Sequence, residues 1–424
     1  MTLKDYKTVK ERRSAVERET GTALSNIGHY SLDESVASRR NCENMIGAAQ
    51  VPMGVAGPIK VKSLKFKVKS CFIPLATTEG ALVASVNRGC KAITQSGGAV
   101  VDSYRVGATR GAVFYVSGLK ESDALNSFLD ERLAKMQAIA AKTSGHLKLT
   151  KIFSRGLGRY RFVRFVFDTQ DAMGMNMATI AATALCQYIE VNAAARCVSV
   201  AGNYDVDKKP SWLNSIEGRG IKAWAEATIP AGVLKDTLKT AARAMYDVWI
   251  AKCMIGSAMA GSMGFNAHFA NIIAALFAAT GQDLGHVGEC CVGITTMEII
   301  PPTSFRPPSR NPVFKRWIPG QARDDNNGED LYVSVYLPDL MVGTVGGGTG
   351  LATQKEALGI IGAKTSQEFA EVAAGAVLAG EISLLASLSE GTLARAHQKL
   401  ARGKAPNFNI QAPNNFQVST ENKH

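Results

Sequence analysis

Four side chains far apart in the 424-residue sequence have the chemistry to polarise a carbonyl group and to move protons. Lys208 lies in Asp207-Lys208-Lys209-Pro210. The adjacent proline favours extended backbone, and an ammonium held in such a loop points a compact positive charge at a carbonyl oxygen. Glu79 stands in an apolar context at an expected helix start, where burial would raise its pKa and let it donate a proton near neutrality. Asp283 ends the uncharged stretch from Cys253 to Gln282 and reads as a turn residue at a helix C-terminus, where a carboxylate is unfavourable. Placed between Lys208 and Glu79, it would tune both through charge and hydrogen bonds. His397, in LSEGTLARAHQKLARGK, carries an imidazole that titrates near neutrality. Taken singly, each has a bland reading: an exposed basic turn, a capping glutamate, a turn aspartate and a solvated tail histidine.

Other segments suit anions. Ser85, Arg88 and Lys91, with Asn87 beside them, recur at i, i+3, i+6 on the helix expected after Glu79, a row that could hold phosphates or simply face solvent. Asp171 to Asn176 leads into a helix expected from about Met173, and a helix N-terminus with Gly174 nearby is an anion site. GTVGGGTG, Gly343 to Gly350, allows close backbone approach to a ligand. No GxGxxG joins a strand to a helix, so a standard Rossmann reading is poor. His268, in FNAHFAN, reads as a satisfied core histidine.

The elements that must position these groups follow from composition and periodicity. The chain is 46% hydrophobic and 20% charged, ordinary for a globular protein with room for two or three cores. The net charge of +12 is scattered and not interleaved with aromatic residues, which favours polyanionic small ligands over nucleic acid. Eight cysteines, none with CxxC spacing, argue for a reducing compartment and against a disulfide framework or zinc site. The charged N-terminus has no apolar core of a secretory signal. The uncharged stretches Ala172–Ile189 and Cys253–Gln282 carry too many polar groups for hydrocarbon and predict buried helices rather than membrane spans.

Residues 1–42 read as a cap of short charged helices. Strands are expected over Phe66–Ala76, Val100–Val116, Arg159–Phe167 and Leu331–Leu337. Helices are expected over 122–142, from Met173, over 231–252 and 266–280, and through 352–400. Thr77 or Thr78 is expected to cap the helix that follows, with Glu79 in its first turn. The order strand, helix, strand, helix predicts a small α+β domain over 111–200. After Pro210 the chain reads as returning to Ala-rich helix. Pro301 to Gly328, rich in Pro, Arg and Asn, reads as a tolerated surface loop, with partner binding the alternative.

Five strings occur in the order ATTEGALVASVNRG, DAMGMNM, GNYDVDKK, GSAMAGSMGFNAHFAN and GTVGGGTG, with His397 following. In this the chain resembles the catalytic domain of 3-hydroxy-3-methylglutaryl-CoA (HMG-CoA) reductase, class I type, over about residues 43–400. The resemblance implies an α+β fold. A large helix-rich CoA- and substrate-binding domain (43–110 and 201–424) would carry an inserted, small ferredoxin-like NADP-binding domain (111–200). It implies reduction of HMG-CoA to mevalonate and CoA with NADPH. The alternatives are an NADH-linked enzyme running the reverse reaction and an inactive CoA-binding homologue.

By this resemblance Lys208 stabilises the oxyanion, Asp283 tunes it, Glu79 is the acid of the aldehyde step and His397 protonates the CoA thiolate. Ser85, Asn87, Arg88 and Lys91 contact CoA. Arg110 and Lys252 bind the acyl carboxylate, Asp207 and Lys209 touch the acyl group, and Asn271 is an active-site amide. Ser144, Asp171, Met173, Gly174, Met175, Asn176, Val345, Gly346 and Gly347 bind NADPH, and no metal is needed. A cytoplasmic homodimer or homotetramer is implied, with active sites at the dimer interface near ENMIG and without the membrane anchor some relatives carry. Departures are Ala201 for a serine that touches the acyl group, Ser144-Gly145 for a Ser-Arg pair on NADPH (Arg155 or Arg159 could compensate), and Gly403 for a phosphorylated serine. The 301–328 segment stands as an insertion.

Overall fold

The computed structural model describes residues 5–67, 69–301 and 328–391. Among these, strands are β1 (Met53–Ser63), β2 (Lys69–Ala76), β3 (Ala99–Tyr115), β4 (Lys148–Leu157), β5 (Tyr160–Asp168), β6 (Arg196–Ser199), β7 (Arg219–Ile229), β8 (Ile294–Ile300) and β9 (Asp330–Leu340). They form one mixed assembly in the order β2-β1-β3-β7-β9-β8, with β4, β5 and β6 branching from it. The fold is mixed α+β.

The strand β3 explains the branching. Its first half, Val100–Gly107, pairs antiparallel with β7. Its second half, Ala108–Tyr115, pairs antiparallel with β5, and Val113–Tyr115 pair with β6 on the other edge. Two sheets thus share one continuous strand. The second reads β4-β5-β3-β6 and carries the helices Leu119–Glu131, Leu133–Thr143 and Met175–Asn192.

Burial follows the same division. One cluster gathers β1, β2, the first half of β3, β7, β9 and the helices Phe269–Thr280 and Ser366–Ser389; another gathers Ala112 to Ile189. A third, small cluster of Val9, Ala37 and Met45 holds the N-terminal helices Val9–Thr20 and Glu34–Arg40 in place.

Ser366–Ser389 is, among the described residues, the one helix long and apolar enough to cross a membrane, and 83% of its most apolar window is buried in the protein. It begins where Thr365 Oγ1 accepts from Glu368 N–H, an N-cap. The helix Leu82–Gln95 crosses it so closely that a Cβ on Gly89 would lie 1.9 Å from the Ala379 carbonyl oxygen. Its two buried carboxylates are both bonded: Glu371 accepts from Ser103 Oγ at 2.9 Å, and Glu381 accepts from Ala267 N and His268 N at 2.8 Å each and from Thr295 Oγ1 at 2.6 Å.

Several expectations need correction. Residues 219–229 are the central strand β7, with every second residue from Arg219 buried, and not part of an Ala-rich helix. The helix after Glu79 begins only at Leu82, because Ala81 takes φ +75° and blocks an earlier start. Thr77 Oγ1 accepts from Glu79 N–H instead, in a turn ahead of the helix. The single helix expected over 122–142 is two, separated at Arg132. β1, β4, β6 and β8 were not anticipated. Residues 301–328 and 392–424 lie almost wholly outside the described residues, and His397 and Gly403 with them.

Candidate active site

The loop GNYDVDKK is held against the middle of β3. Gly202 N–H donates to Gly111 O at 2.5 Å, Thr109 Oγ1 donates to Asp205 O at 3.1 Å, and a Cβ on Gly111 would come within 2.4 Å of Asp205 N. The loop turns sharply enough that Asn203, Val206 and Lys208 all take positive φ, of 62°, 52° and 60°, which corrects the extended backbone expected at Lys208, since Pro210 restricts only Lys209 directly before it. For β-branched Val206 that conformation is a true outlier, and such strain is held only where the surroundings over-determine it. Here they do: Asp205 is buried with its carboxylate 3.1 Å from Arg110 Nη1, and Asp207 lies 3.3 Å from the same nitrogen and 2.9 Å from Arg219 Nη2.

The strained loop delivers Lys208 to Asp283, with Nζ 2.7 Å from Oδ2. Asp283 is the N-cap of the short turn Leu284–His286, its Oδ1 accepting from Gly285 N–H at 2.9 Å. This corrects its reading as a helix C-terminal residue: Gly281, at φ +72°, has already ended the helix Phe269–Thr280, and the cap makes a carboxylate favourable here. Burial alone would raise the Asp283 pKa. The Lys208 ammonium, the Gly285 N–H and His286 outweigh it and hold the carboxyl below its ordinary value. Asp207 is held low in the same way, burial being overcome by Arg219, His286 and Arg110.

Lys208 and Asp283 line a cavity of about 1050 Å³. Arg110, Asp171, Met173, Gly174, Met175, Asn176, Asp207, Val345, Gly346 and Gly347 line it with them, so most of the residues assigned to cofactor and substrate face one space. The two Gly-rich segments meet directly. Ala172 and Val345 form a parallel bridge, and Thr344 N–H donates to Asp171 O at 2.8 Å. Gly174, φ +82°, opens the helix Met175–Asn192 with no side-chain cap, and its first turn, Met175–Met177, lines the cavity. A dinucleotide fits such a site: the space is large enough, and the uncapped N–H groups suit its phosphates.

A smaller cavity of about 520 Å³ lies on the other side of the DKKP segment, lined by Pro210, Asn271 and Gly288 among others. Glu79 reaches Asn271, whose Nδ2 donates to Glu79 Oε1 at 3.3 Å. Glu79 is exposed, which corrects the expectation of a buried carboxyl. His268, also expected to be satisfied, has a buried Nε2 without a hydrogen-bond partner and lines this cavity.

The remaining candidates lie outside both cavities. Arg88 turns toward the long buried helix, with Nε 3.1 Å from Ser383 Oγ and Nη2 bonded to Ser383 O at 2.6 Å and to Ser387 Oγ. Ser85 Oγ meets the same Ser383 hydroxyl at 3.0 Å, and Asn87 Oδ1 accepts from Gly57 N–H at 2.9 Å, while Lys91 is exposed. Lys252 is exposed within the π-helical segment Ile250–Gly256. Lys209 Nζ reaches Asn203 Oδ1 at 3.3 Å. Ser144 Oγ lies 3.5 Å from the Met177 sulfur and also accepts from His146 N–H; of these it is His146 and Met177 that line the large cavity.

Beneath the site is a set of buried polar and charged groups that sequence reasoning missed: Arg219, Glu289, His286, Asp339, Asn214 and Arg164. Arg219 Nη1 lies 2.6 Å from Glu289 Oε1, and Asn214 Nδ2 donates to Asp339 Oδ2 at 2.7 Å. Burial and the Glu289 charge push Asp339 well above the usual carboxylate range. Asp207, His286 and Glu289 lie close enough together to suggest a metal site. The Arg219 guanidinium already bridges both carboxylates, supplying the positive charge an ion would bring. One signal was present in sequence: Asp283, His286 and Glu289 recur at i, i+3, i+6.

Residues 8–402 match the model of the family described as hydroxymethylglutaryl-coenzyme A reductase. The chain is 43% identical over 399 residues to the 3-hydroxy-3-methylglutaryl-coenzyme A reductase of Methanothermobacter thermautotrophicus, covering 93% of this chain and 94% of that one. It is likewise 43% identical over 402 residues to the enzyme of the same name from Aeropyrum pernix, covering 92% and 89%. Its fold is similar to that of the class II reductase of Streptococcus pneumoniae bound to NADPH in open conformations, with a TM-score of 0.65 at 17% identity, covering 90% of this chain and 97% of that one. With a family model spanning nearly all of its length and relatives this similar along it, the chain belongs to the hydroxymethylglutaryl-coenzyme A reductase family.

Proposed function

We propose that the protein reduces HMG-CoA to mevalonate and CoA with two molecules of NADPH. The observation that carries the reading is the Lys208–Asp283 pair, 2.7 Å apart, at the wall of a cavity built from two hydrogen-bonded Gly-rich loops. Bound NADPH would supply the hydride for each of the two reductions. Lys208 places its ammonium where the thioester carbonyl develops negative charge, and Asp283 keeps that ammonium charged and aimed. Collapse of the hemithioacetal releases the CoA thiolate, whose proton is assigned to His397, outside the described residues. Glu79, steadied by Asn271, supplies the proton that turns the aldehyde into an alcohol.

Asp171, Met173, Gly174, Met175 and Asn176 form one wall of the coenzyme site, and Val345, Gly346 and Gly347 the other. Ser144 stands beside the first wall through Met177. Arg110 and Lys252 are assigned to the acyl carboxylate and Asp207 and Lys209 to the acyl group, with Ser85, Asn87, Arg88 and Lys91 on CoA. Lys252 lies outside both cavities, which supports an active site completed by a second copy of the chain and hence a homodimer or homotetramer. Three separate buried clusters support a division into a helical cap 1–42, a large domain 43–110 and 201–424 and a small domain 111–200, with Met45 packing in the cap cluster and Met175 in the large one. The order β3, two helices, β4, β5, one helix, β6 across 99–199, which is βαββαβ with its first helix split, and the strand order β4-β5-β3-β6 support a ferredoxin-like small domain. Higher identity to the archaeal relatives than to the class II structures supports the class I type. Eight free cysteines support a cytoplasmic location.

The test is thioester-dependent oxidation of NADPH by the purified protein, with mevalonate and free CoA as products and NADH as the comparison. Binding of CoA without turnover would overturn the reading, and turnover with NADH alone would overturn the coenzyme assignment.

A further inference from the structure

His286 is fully buried directly beneath Asp283, on the short turn that Asp283 caps. Its Nδ1 is in close contact with Glu289 Oε1. Its Nε2 has no hydrogen-bond partner, yet lies 3.6 Å from Asp283 Oδ2 and 3.9 Å from Asp207 Oδ1. The charged groups around the ring are therefore Asp207 from the strained loop, Asp283 from its own turn and Glu289 from the helix Val287–Cys290. Behind these stand Arg219 of β7, bonded to both Asp207 and Glu289, Lys208, bonded to Asp283, and Asp339 of β9, beside Glu289. A ring protonated only at Nδ1 would turn an Nε2 lone pair toward two carboxylates, an arrangement nothing in the site compensates. A ring protonated at both nitrogens gives each carboxylate a donor or a nearby positive charge.

We infer that His286 is a positioning residue: an imidazolium, anchored on Glu289 through Nδ1, that presents Nε2–H to Asp283 and Asp207 and so sets where Lys208 points. The inference rests on the reduction reading above. Its physical content is a division of charge. Asp283 has two cationic neighbours, Lys208 at 2.7 Å and His286 at 3.6 Å. The second weakens the hold of the carboxylate on the first, which leaves the ammonium free to project toward the substrate oxygen while Asp283 stays ionised. Asp207 is stabilised from the same nitrogen, which keeps the backbone entering Lys208 in place.

The experiment compares full-length wild type with His286→Phe, which keeps a ring and removes both nitrogens, and with His286→Gln, which keeps a side-chain N–H donor. In HMG-CoA-dependent NADPH oxidation, His286→Phe is expected to lose about 10²-fold in kcat, the scale of a small misplacement of a catalytic group, with KM values little changed. His286→Gln is expected to recover part of that loss. Wild-type kcat in His286→Phe overturns the inference, and so does an equal loss in both variants. Should the Phe variant fail to fold, ¹⁵N-histidine NMR of the wild type decides: N–H resonances from both ring nitrogens of His286 at neutral pH are expected, and a bare nitrogen on either side overturns the proposal. A wild type without thioester-dependent NADPH oxidation defeats the reduction reading instead, while an active wild type with unresponsive variants defeats this inference alone.

Discussion

Gln282 and Gly343 exchange two hydrogen bonds of 2.9 Å each, Gln282 Nε2–H to the Gly343 carbonyl and Gly343 N–H to Gln282 Oε1. The pair ties the residue next to Asp283 to the residue that opens GTVGGGTG. Both partners are buried, so neither Gly343 group can turn to water when the side chain is removed. Gln282→Leu should therefore cost about 1–3 kcal/mol of stability. It should also raise KM for NADPH and lower kcat together, because coenzyme loop and catalytic carboxylate shift as one. Thermal unfolding and steady-state kinetics check this, and an unchanged KM for NADPH would show that the loop does not depend on the clamp.

Lys208→Ala should leave the fold intact, since the side chain is exposed and its one ion pair is at the surface of the cavity. The rate of HMG-CoA reduction should fall at least about 10²–10³-fold, the loss found for a single oxyanion donor. Lys208→Arg should not restore it, because a planar fork does not reproduce a point charge on a short arc. A near-wild-type rate in the alanine variant would remove Lys208 from the chemistry.

Acid should uncouple the pair before it unfolds the protein. The Asp283 carboxyl is depressed in the folded state, burial being outweighed by Lys208, Gly285 N–H and His286. The contribution of a depressed carboxyl is complete above its unfolded pKa, about 3.9, and is lost as pH falls through the folded value below it. The Tm difference between wild type and Asp283→Asn should therefore be constant from neutrality down to about pH 4 and close below that. A difference that closes near neutrality would contradict the depressed value.

Gly281 allows a test by backbone alone. A Cβ there would lie 2.3 Å from the Gly348 carbonyl oxygen, and φ is +72°. Gly281→Ala should cost about 1–2 kcal/mol from the left-handed conformation alone. It must also push the coenzyme loop outward, so KM for NADPH should rise more than KM for HMG-CoA. Equal changes in the two would place the loop away from the coenzyme.

Much of this was legible in the sequence where burial follows a simple period. The expectation of a strand over Val100–Val116 meets β3 at Ala99–Tyr115, and Arg159–Phe167 meets β5 at Tyr160–Asp168. Residues 219–229 failed because Ala and Lys carry helix propensity, whereas the alternation in RGIKAWAEATI was the stronger signal for a strand flanked by β3 and β9. Lys208 was found through the resemblance carried by GNYDVDKK, and Asp283 as the lone charge that ends the uncharged stretch from Cys253 to Gln282. Arg219, Glu289 and Asp339 were not, because buried charges look like surface ones until their partners, contributed by distant strands and turns, are known. Glu79 was read as buried at a helix start, and is instead exposed in the turn ahead of the helix, where it meets Asn271.

The continuity of β3 bears on how spent coenzyme leaves between the two reductions. Because one unbroken strand is spine to both sheets, the halves of the molecule cannot part like jaws without breaking its ladder. Its ladder to β7 slips between Arg105 and Gly107, where Gly107 takes φ +113°. A swivel of one half on the other would have to bend this strand, and at Gly107 an added Cβ would lie 2.7 Å from the Phe167 carbonyl oxygen.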